Sequence, residues 1–353
     1  SYIDPPDAAA SFAKIALPDD FECLSVAFLA TLFVFVRKSL VTGTRSHRFY
    51  WSAPNDARSV DDLAFASAEN SPDPLLDVAV VGDNLAMLGA QSLEMWMTGG
   101  TVDLPFNRIT QRMFAKGIFA TGACAEHDNT LFYVGHDYTV YRLTDVPTRI
   151  SDHGLEERIA ASETCECFPF NWEGHQFFAV RLDSGTWCFD AATGEWCEMA
   201  TLTRSNWRAR CATMYQGVPL FGDDTEGKLL RFGGYSDTVA DLERVFTVAV
   251  ALPEPAHIDS LDIDLSIGST ESLSGEGDDP VVEARLSRDG GNTWTAWMPC
   301  SMGQMGEYRK RARWRRWGLC DAPGALFEVR LTDPAPFRVS RAAVNEGGGG
   351  RSR

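Results

Sequence analysis

Long hydrophobic runs are scarce in this 353-residue sequence. The most apolar stretch, Cys23 to Val36, covers 14 residues, whereas a helix needs about 20 to cross the hydrocarbon core of a bilayer. That stretch is rich in Phe and Val, which favours a buried strand over a lipid-facing helix, and no charged-then-apolar leader opens the chain. Cations are also few: 32 Lys plus Arg stand against 49 Asp plus Glu, a formal charge of −17. Such an anion repels phosphate backbones, which argues against general nucleic-acid binding unless the cations cluster. A phosphate-binding glycine loop, a G-x-S-x-G elbow and an H-E-x-x-H pair are all missing. The nine cysteines are odd in number and spread out, unlike a secreted disulfide framework, and read as reduced thiols of a protein made in cytosol. Cys165-Glu166-Cys167 offers half a metal site, but no second Cys or His pair stands at zinc spacing, so strand thiols are the expectation. His127, His136 and His175 fall at expected turns, where polar roles suffice. No cofactor and no metal are assigned.

What the sequence does have is repetition. Helical periodicity is hard to find, and short apolar runs punctuated by Gly, Asp, Asn and Pro recur instead, the all-β signature. Val78 to Val81, Gly82-Asp83-Asn84 and Leu85 to Gly89 end in Leu93 to Trp96. The same plan returns as His127-Asp128-Asn129 with Leu131 to Gly135 and Val140 to Leu143. Glu173-Gly174-His175 with Gln176 to Val180 and Thr186 to Asp190 is a third copy, and Gln216-Gly217 with Val218 to Gly222 and Lys228 to Phe232 a fourth. Gly89 and Gly135 are 46 residues apart and Gly135 and Gly222 are 87 apart, about two periods of 43. Ser25 to Ser39 fits the same plan, with Ala30-Thr31 at the turn.

Units of this length with four short strands indicate a β-propeller, whose blades bury their faces by stacking radially. Six blades are expected, near 23–60, 75–110, 118–150, 165–203, 208–250 and 255–345. The last is too long for a blade and is expected to carry an insertion around Ser266 to Asp279. The domain reading is an N-terminal arm over 1–22, one propeller body over 23–345 and a flexible Gly-rich tail over 346–353. The competing reading is a generic β-sandwich whose hairpins resemble one another by accident.

Ser287-Arg288-Asp289-Gly290-Gly291-Asn292-Thr293-Trp294 matches S-x-D-x-G-x-T-W, the Asp-box. Ser287, Asp289, Gly291, Thr293 and Trp294 are expected to staple a hairpin turn: Asp accepts backbone N–H groups, Gly supplies the permissive dihedral and Trp packs on the neighbouring strand. Asp183 to Trp187 is a shorter echo. The box also occurs in sialidases, so a carbohydrate-active propeller, enzyme or lectin, is the alternative function. No spacing singles out an arginine triad, and no catalytic residue is assigned.

Tyr308 to Trp317 departs most from the acidic average, with Arg309, Arg311, Arg313 and Arg315 expected on one face of a strand and Tyr308, Lys310, Ala312, Trp314 and Arg316 on the other. In isolation this resembles a nucleic-acid patch. In so acidic a chain the arginine row is expected to meet carboxylates, on this chain or on a neighbouring subunit. The acidic stretch Glu271, Glu276, Asp278 and Asp279 is nominated as one complement.

A series of words then occurs in order: Phe49 to Asp56, Leu104-Pro105-Phe106, Lys116-Gly117, Val134 to Asp137, Val140-Tyr141-Arg142, Arg149 to Glu156, Thr186 to Asp190, Trp207 to Arg210, Gly222-Asp223, Ser287 to Trp294 and Gly306-Glu307-Tyr308. From about residue 25 to 345 the chain resembles the packaged-DNA stabilisation proteins of short-tailed phages, the tail-hub or nozzle components that close the head beneath the portal. The resemblance implies a β-propeller subunit in a six-fold ring of identical subunits at the virion neck or tail, below portal and adaptor proteins and alongside other tail proteins. It implies assembly in bacterial cytoplasm, retention of packaged DNA and an axial exit path without sequence-specific DNA binding. It implies no enzymatic activity and no membrane partner. Relative to the family the chain starts late, which implies that part of the first blade is absent.

Overall fold

Five two-residue turns set the plan of the first two-thirds of the chain. A computed structural model describes residues 15–38, 47–68, 73–99, 101, 103–202, 204–237, 240–265, 279–304, 306–307 and 310–345. Most of the expected N-terminal arm, all of the tail and the insertion over 266–278 lie outside the described residues. The chain divides into two compact units, one up to Phe232 and one from Gly233 onward.

The first unit is a run of antiparallel sheets in chain order. Sheet one is β1 (Cys23–Leu29), β2 (Leu32–Arg37), β3 (Arg48–Ala53) and β4 (Asp56–Ser67), and sheet two is β5 (Leu75–Val81), β6 (Asn84–Gly89), β7 (Leu93–Thr98) and β8 (Phe106–Phe114). Sheet three is β9 (Cys124–His127), β10 (Thr130–Val134), β11 (Val140–Leu143) and β12 (Pro147–Arg149). A short helix, α1 (His153–Ala160), follows, its N-terminus capped by the Asp152 carboxylate, which accepts the Leu155 N–H at 2.8 Å. Sheet four is β13 (Cys165–Trp172), β14 (His175–Leu182), β15 (Thr186–Asp190) and β16 (Glu195–Met199), and sheet five has three strands, β17 (Ala209–Tyr215), β18 (Val218–Asp223) and β19 (Leu229–Arg231).

In every one of these sheets the first two strands close on a two-residue loop. The loops are Ala30–Thr31, Gly82–Asp83, Asp128–Asn129, Glu173–Gly174 and Gln216–Gly217. All but the second have positive φ at both positions, and the second has Gly82 at φ +59. These are the turns whose twist matches the flanking strands, and their spacing is the period seen in the sequence.

The core lies between sheets because the central strands, such as β6, β10 and β15, are buried on both faces. Val34 and Val36 of β2 share a cluster with Leu85 and Met87 of β6, whereas Ala86 and Leu88, pointing the opposite way, pack toward Leu131 and Tyr133 of sheet three. Phe178 and Val180 face that same cluster, and Ala179 between them faces Trp207 and Phe221 of sheet five. Period-two alternation thus assigns central strands such as β6 and β14 to two neighbouring interfaces, and each fully buried Leu, Val or Phe contributes about 2 kcal/mol. The first strands pack successively, β1 on β5, β5 on β9, β9 on β13 and β13 on β17, the radial order of a β-propeller.

The second unit departs from the expectation of a sixth blade. After a two-rung ribbon, β20 (Ser236–Asp237) with β21 (Ala240–Asp241), come β22 (Arg244–Ala251), β23 (Ala256–Leu265), β24 (Val281–Ser287), β25 (Met298–Ser301), β26 (Ala312–Cys320), β27 (Gly324–Leu331) and β28 (Val339–Val344). They form two sheets, ordered β22-β27-β24-β25 and β26-β23-β28. Ile258, Leu261 and Ile263 of β23 and Trp314 of β26 share one core with Val282, Ala284 and Leu286 of β24 and Phe327 of β27. This is a sandwich of two facing sheets. The single body expected over 23–345 is therefore two units. The blade expected over 208–250 ends at Arg231, and its last stretch, β22, pairs with β27 some eighty residues on. The sheet counted first has all four strands.

Candidate assembly surfaces

Arg313 and Arg315 of the arginine row lie on β26, an edge strand of the sandwich, and Arg311 immediately precedes it. Asp262 and Ile263 of β23 stand opposite Arg313 and Ala312, which brings the β23 carboxylates beside the row. Arg313 pairs with Asp262, whose side chain is 1% exposed, and the Arg311 Nε lies 2.7 Å from Asp264 Oδ1. Two of the expected carboxylate partners are thus within the chain and within the same sheet. Arg315 is exposed opposite Ser260. Arg309 lies outside the described residues, as do Glu271, Glu276 and Asp278. Asp279 accepts the Gly303 N–H at 3.0 Å and bonds the Ser301 hydroxyl, and Lys310 Nζ lies 4.0 Å away.

The expected alternation holds to Arg315 and then breaks. The register of β26 against β23 shifts between Ile258 and Ser260, and Arg316 adopts φ +70. This bulge turns Arg316 outward and Trp317 into the core, so Arg315 and Arg316 are both exposed, as an extra residue in one strand requires.

The other sheet carries a second ladder that sequence reasoning missed. Glu283 stands opposite Arg330, and Arg285 opposite Glu328. Arg330 Nε donates to Glu283 Oε2 at 2.7 Å, Arg285 pairs with Glu328, and the Arg330 and Arg285 guanidinium groups stack 4.1 and 4.4 Å from the Trp297 ring centroid. The signal was alternation of Glu-x-Arg with Glu-x-Arg, invisible until the strands are paired.

The Asp-box forms the turn after β24 in the sandwich, not in a blade. Asp289 Oδ1 accepts the Thr293 N–H at 2.8 Å, Oδ2 the Thr293 hydroxyl at 2.6 Å, and the Ser287 hydroxyl lies 2.8 Å from Oδ1. These donors hold the Asp289 carboxyl down at about 2. Gly290 and Gly291 take φ +71 and +98, and Trp294 Nε1 closes onto the Gly291 carbonyl at 3.0 Å while Arg285 stacks on its ring. The shorter echo plays a different part. Asp183 accepts the Glu163 and Thr164 N–H groups at 2.7 and 3.1 Å, pinning the segment after α1.

Polar groups also stitch the sheets of the propeller. Arg181 of sheet four donates to Asp224, just past β18 of sheet five, at 2.7 Å, Arg204 grips Asp224 with both terminal nitrogens, and Arg210 grips Glu166. Trp207 to Arg210 entered the sequence reading only as words of a family; here Arg210 bonds Glu166 and Trp207 packs on Phe168 and Phe170 of sheet four, while Arg208 pairs with Asp223 beside it. Trp196 Nε1 donates to the Ile150 carbonyl at 2.8 Å, and His127 Nε2 bonds Asn171 Oδ1 at 2.7 Å. His136 accepts the Gly117 N–H and His175 bonds Asp190, so these histidines serve turns and junctions. Cys165 and Cys167 lie in β13, and among the described residues no three His, Cys, Asp or Glu side chains converge as a metal site. A cleft of about 490 Å³ opens along β1, β5 and β9, between Val26, Val80 and Glu126.

No helix among the described residues is long and apolar enough to cross a membrane. No curated protein matches the sequence significantly. Among solved structures, an exo-β-1,3-galactanase from Phanerochaete chrysosporium with galactose aligns at 10% identity over 88% of this chain and 94% of that one, TM-score 0.34. A Lactobacillus plantarum protein aligns at 13% identity over 67% and 79%, TM-score 0.36. Likenesses this slight carry no inference. The sequence itself matches the family described as bacteriophage P22 Gp10, β-propeller, over residues 7–233, and its β-sandwich over 243–347. Propeller and sandwich follow in the same order as the two units of the structure, and the chain belongs to the bacteriophage P22 Gp10 family of phage structural proteins.

Proposed function

We propose that this chain is a virion component of the phage neck or tail, a head-closure or tail-hub subunit that retains packaged DNA and borders its exit path. The observation that carries the reading is the match of both units, in order, to one phage family. The net charge supports it. The chain carries a formal charge of −17, and an anionic conduit does not bind phosphates, so DNA passes without adhering and retention is steric.

Subunits form a ring, six-fold by the family resemblance, in contact with identical copies and a portal-side partner. The exposed edge of β26, with Arg315 and Arg316, presents cations on a strongly anionic chain, and an acidic edge opposite it fixes orientation. The chain does no catalysis in this role. The test is an amber mutation of this gene in its phage. The expected result is heads that fill and then lose DNA, lacking the neck assembly, with rescue by the gene in trans. Mutant particles that keep DNA and bear complete tails would refute the reading.

A further inference from the structure

Cys188 of β15 and Cys197 of β16 stand directly opposite each other in sheet four. Opposed residues of an antiparallel pair project from the same face with Cα atoms about 4.5–5.5 Å apart. That separation falls within the roughly 4.4–6.8 Å that a disulfide spans. The Cys197 thiol is turned toward its neighbour, its Sγ 3.6 Å from the Cys188 carbonyl oxygen. All nine cysteines lie in strands, and the other seven have no cysteine opposite them in any strand pairing among the described residues.

Exposure divides the pair. Cys188 is buried and Cys197 is exposed on β16, the outer strand of the sheet. Cys197 is thus the residue of the pair that a solute disulfide reaches first, with Cys188 beneath it to displace the solute.

We propose that Cys188 and Cys197 are a dithiol–disulfide site, a reversible staple across the outer edge of sheet four that closes when the reduced chain meets a low-molecular-weight disulfide. The Cys197 thiolate attacks one sulfur of that disulfide, forming a mixed disulfide and releasing one small thiolate. Cys188 then loses its proton to solvent and attacks the Cys197 sulfur, releasing the second small thiolate. The two protein thiols are oxidised by two electrons, and the small disulfide is reduced to two thiols. Burial raises both thiols above their ordinary range, Cys188 the more, so closure quickens as pH rises from 7 toward 9.

The test uses the full chain, reduced and then incubated with oxidised glutathione at pH 8. Free thiols are alkylated and the chain digested without reductant for mass spectrometry. The expected result is a linked peptide pair joining Cys188 to Cys197, about 2 Da below the sum of its reduced halves. Both residues are then protected from alkylation, and dithiothreitol restores them. Cys197→Ser, a change at an exposed position, leaves Cys188 unlinked and free to alkylate after unfolding. The proposal is overturned if the wild-type chain, its circular dichroism unchanged, carries glutathione on Cys197 with Cys188 free. It is equally overturned if Cys197 is found linked to another chain, or if neither residue reacts under these conditions.

Discussion

Arg313 and Asp262 face each other across β26 and β23, and their ion pair closes within one sheet of one chain. The carboxylate is almost wholly buried, so the arginine is its counter-charge and cannot be exchanged freely. Replacing Arg313 with Glu sets two carboxylates against each other and destabilises the sandwich by about 3 kcal/mol. Arg315→Glu, at an exposed position without a buried partner among the described residues, leaves stability within about 0.5 kcal/mol. Urea unfolding distinguishes the two, and Arg315→Glu is the variant suited to test subunit contacts.

Ala30 and Thr31 form a turn that asks for Asn-Gly, with φ +50 and +71. Non-glycine residues held there cost about 1–2 kcal/mol each, and a β-branched residue is the poorer fit. The double change Ala30→Asn, Thr31→Gly should raise stability by about 1–2 kcal/mol in thermal or urea unfolding, with β1–β2 register unchanged. A fall in stability would show that these side chains serve some other contact.

Gly117 lies where two sheets meet. A Cβ there would sit 2.3 Å from the Gln91 backbone nitrogen and 2.5 Å from the Gly89 carbonyl oxygen, both backbone atoms that cannot swing aside. The adjacent Ile118 N–H donates to that same Gly89 carbonyl at 2.9 Å. Gly117→Ala should cost about 3 kcal/mol, whereas Gly122→Ala, with open space around it but φ +83, should cost about 1 kcal/mol. Equal effects of the two would contradict this account.

The Asp-box gives a pH signature. The folded carboxyl of Asp289 titrates at about 2, below its ordinary 3.8. A depressed folded value means the charged form is favoured by folding, so its contribution is present above about pH 4 and is lost as pH falls toward 2. Asp289→Asn should flatten the fall of the melting temperature between pH 4 and pH 2 relative to the parent. NMR titration of the carboxyl should place its midpoint near 2.

A glycan array and a fluorogenic sialoside assay should both be blank for the purified chain. Reproducible turnover or binding would move the reading to the carbohydrate-active alternative that the Asp-box suggested.

The propeller unit was legible because its information is local. Glu173-Gly174 or Gln216-Gly217 announces a hairpin wherever it stands, and alternation on either side tells which faces are buried. Even Ala30-Thr31, wrong by residue type, was found because the strands flanking it kept the period. The sandwich defeated the same method because its pairings are not consecutive. β22 reads as the last strand of a blade, and only its partnership with β27 reveals otherwise. The arginines of β26 announced that they needed carboxylates, but which carboxylates depended on a register set fifty residues away. Arg316 was placed on the wrong face because a bulge is an insertion in pairing, not in sequence.

The two-residue turns also bear on the order in which the chain acquires structure. Each propeller sheet pairs consecutive strands, the first two across a two-residue loop, so its loop-closure entropy is small, and a sheet can form soon after its residues are synthesised. The next sheet then finds a surface ready to receive it. The second unit cannot proceed this way, since β22 stays unpaired until β27 arrives and β23 until β26. Translation therefore delivers a growing stack first and a late, concerted collapse afterwards, with the exposed edge of β22 as the interval of greatest vulnerability to aggregation.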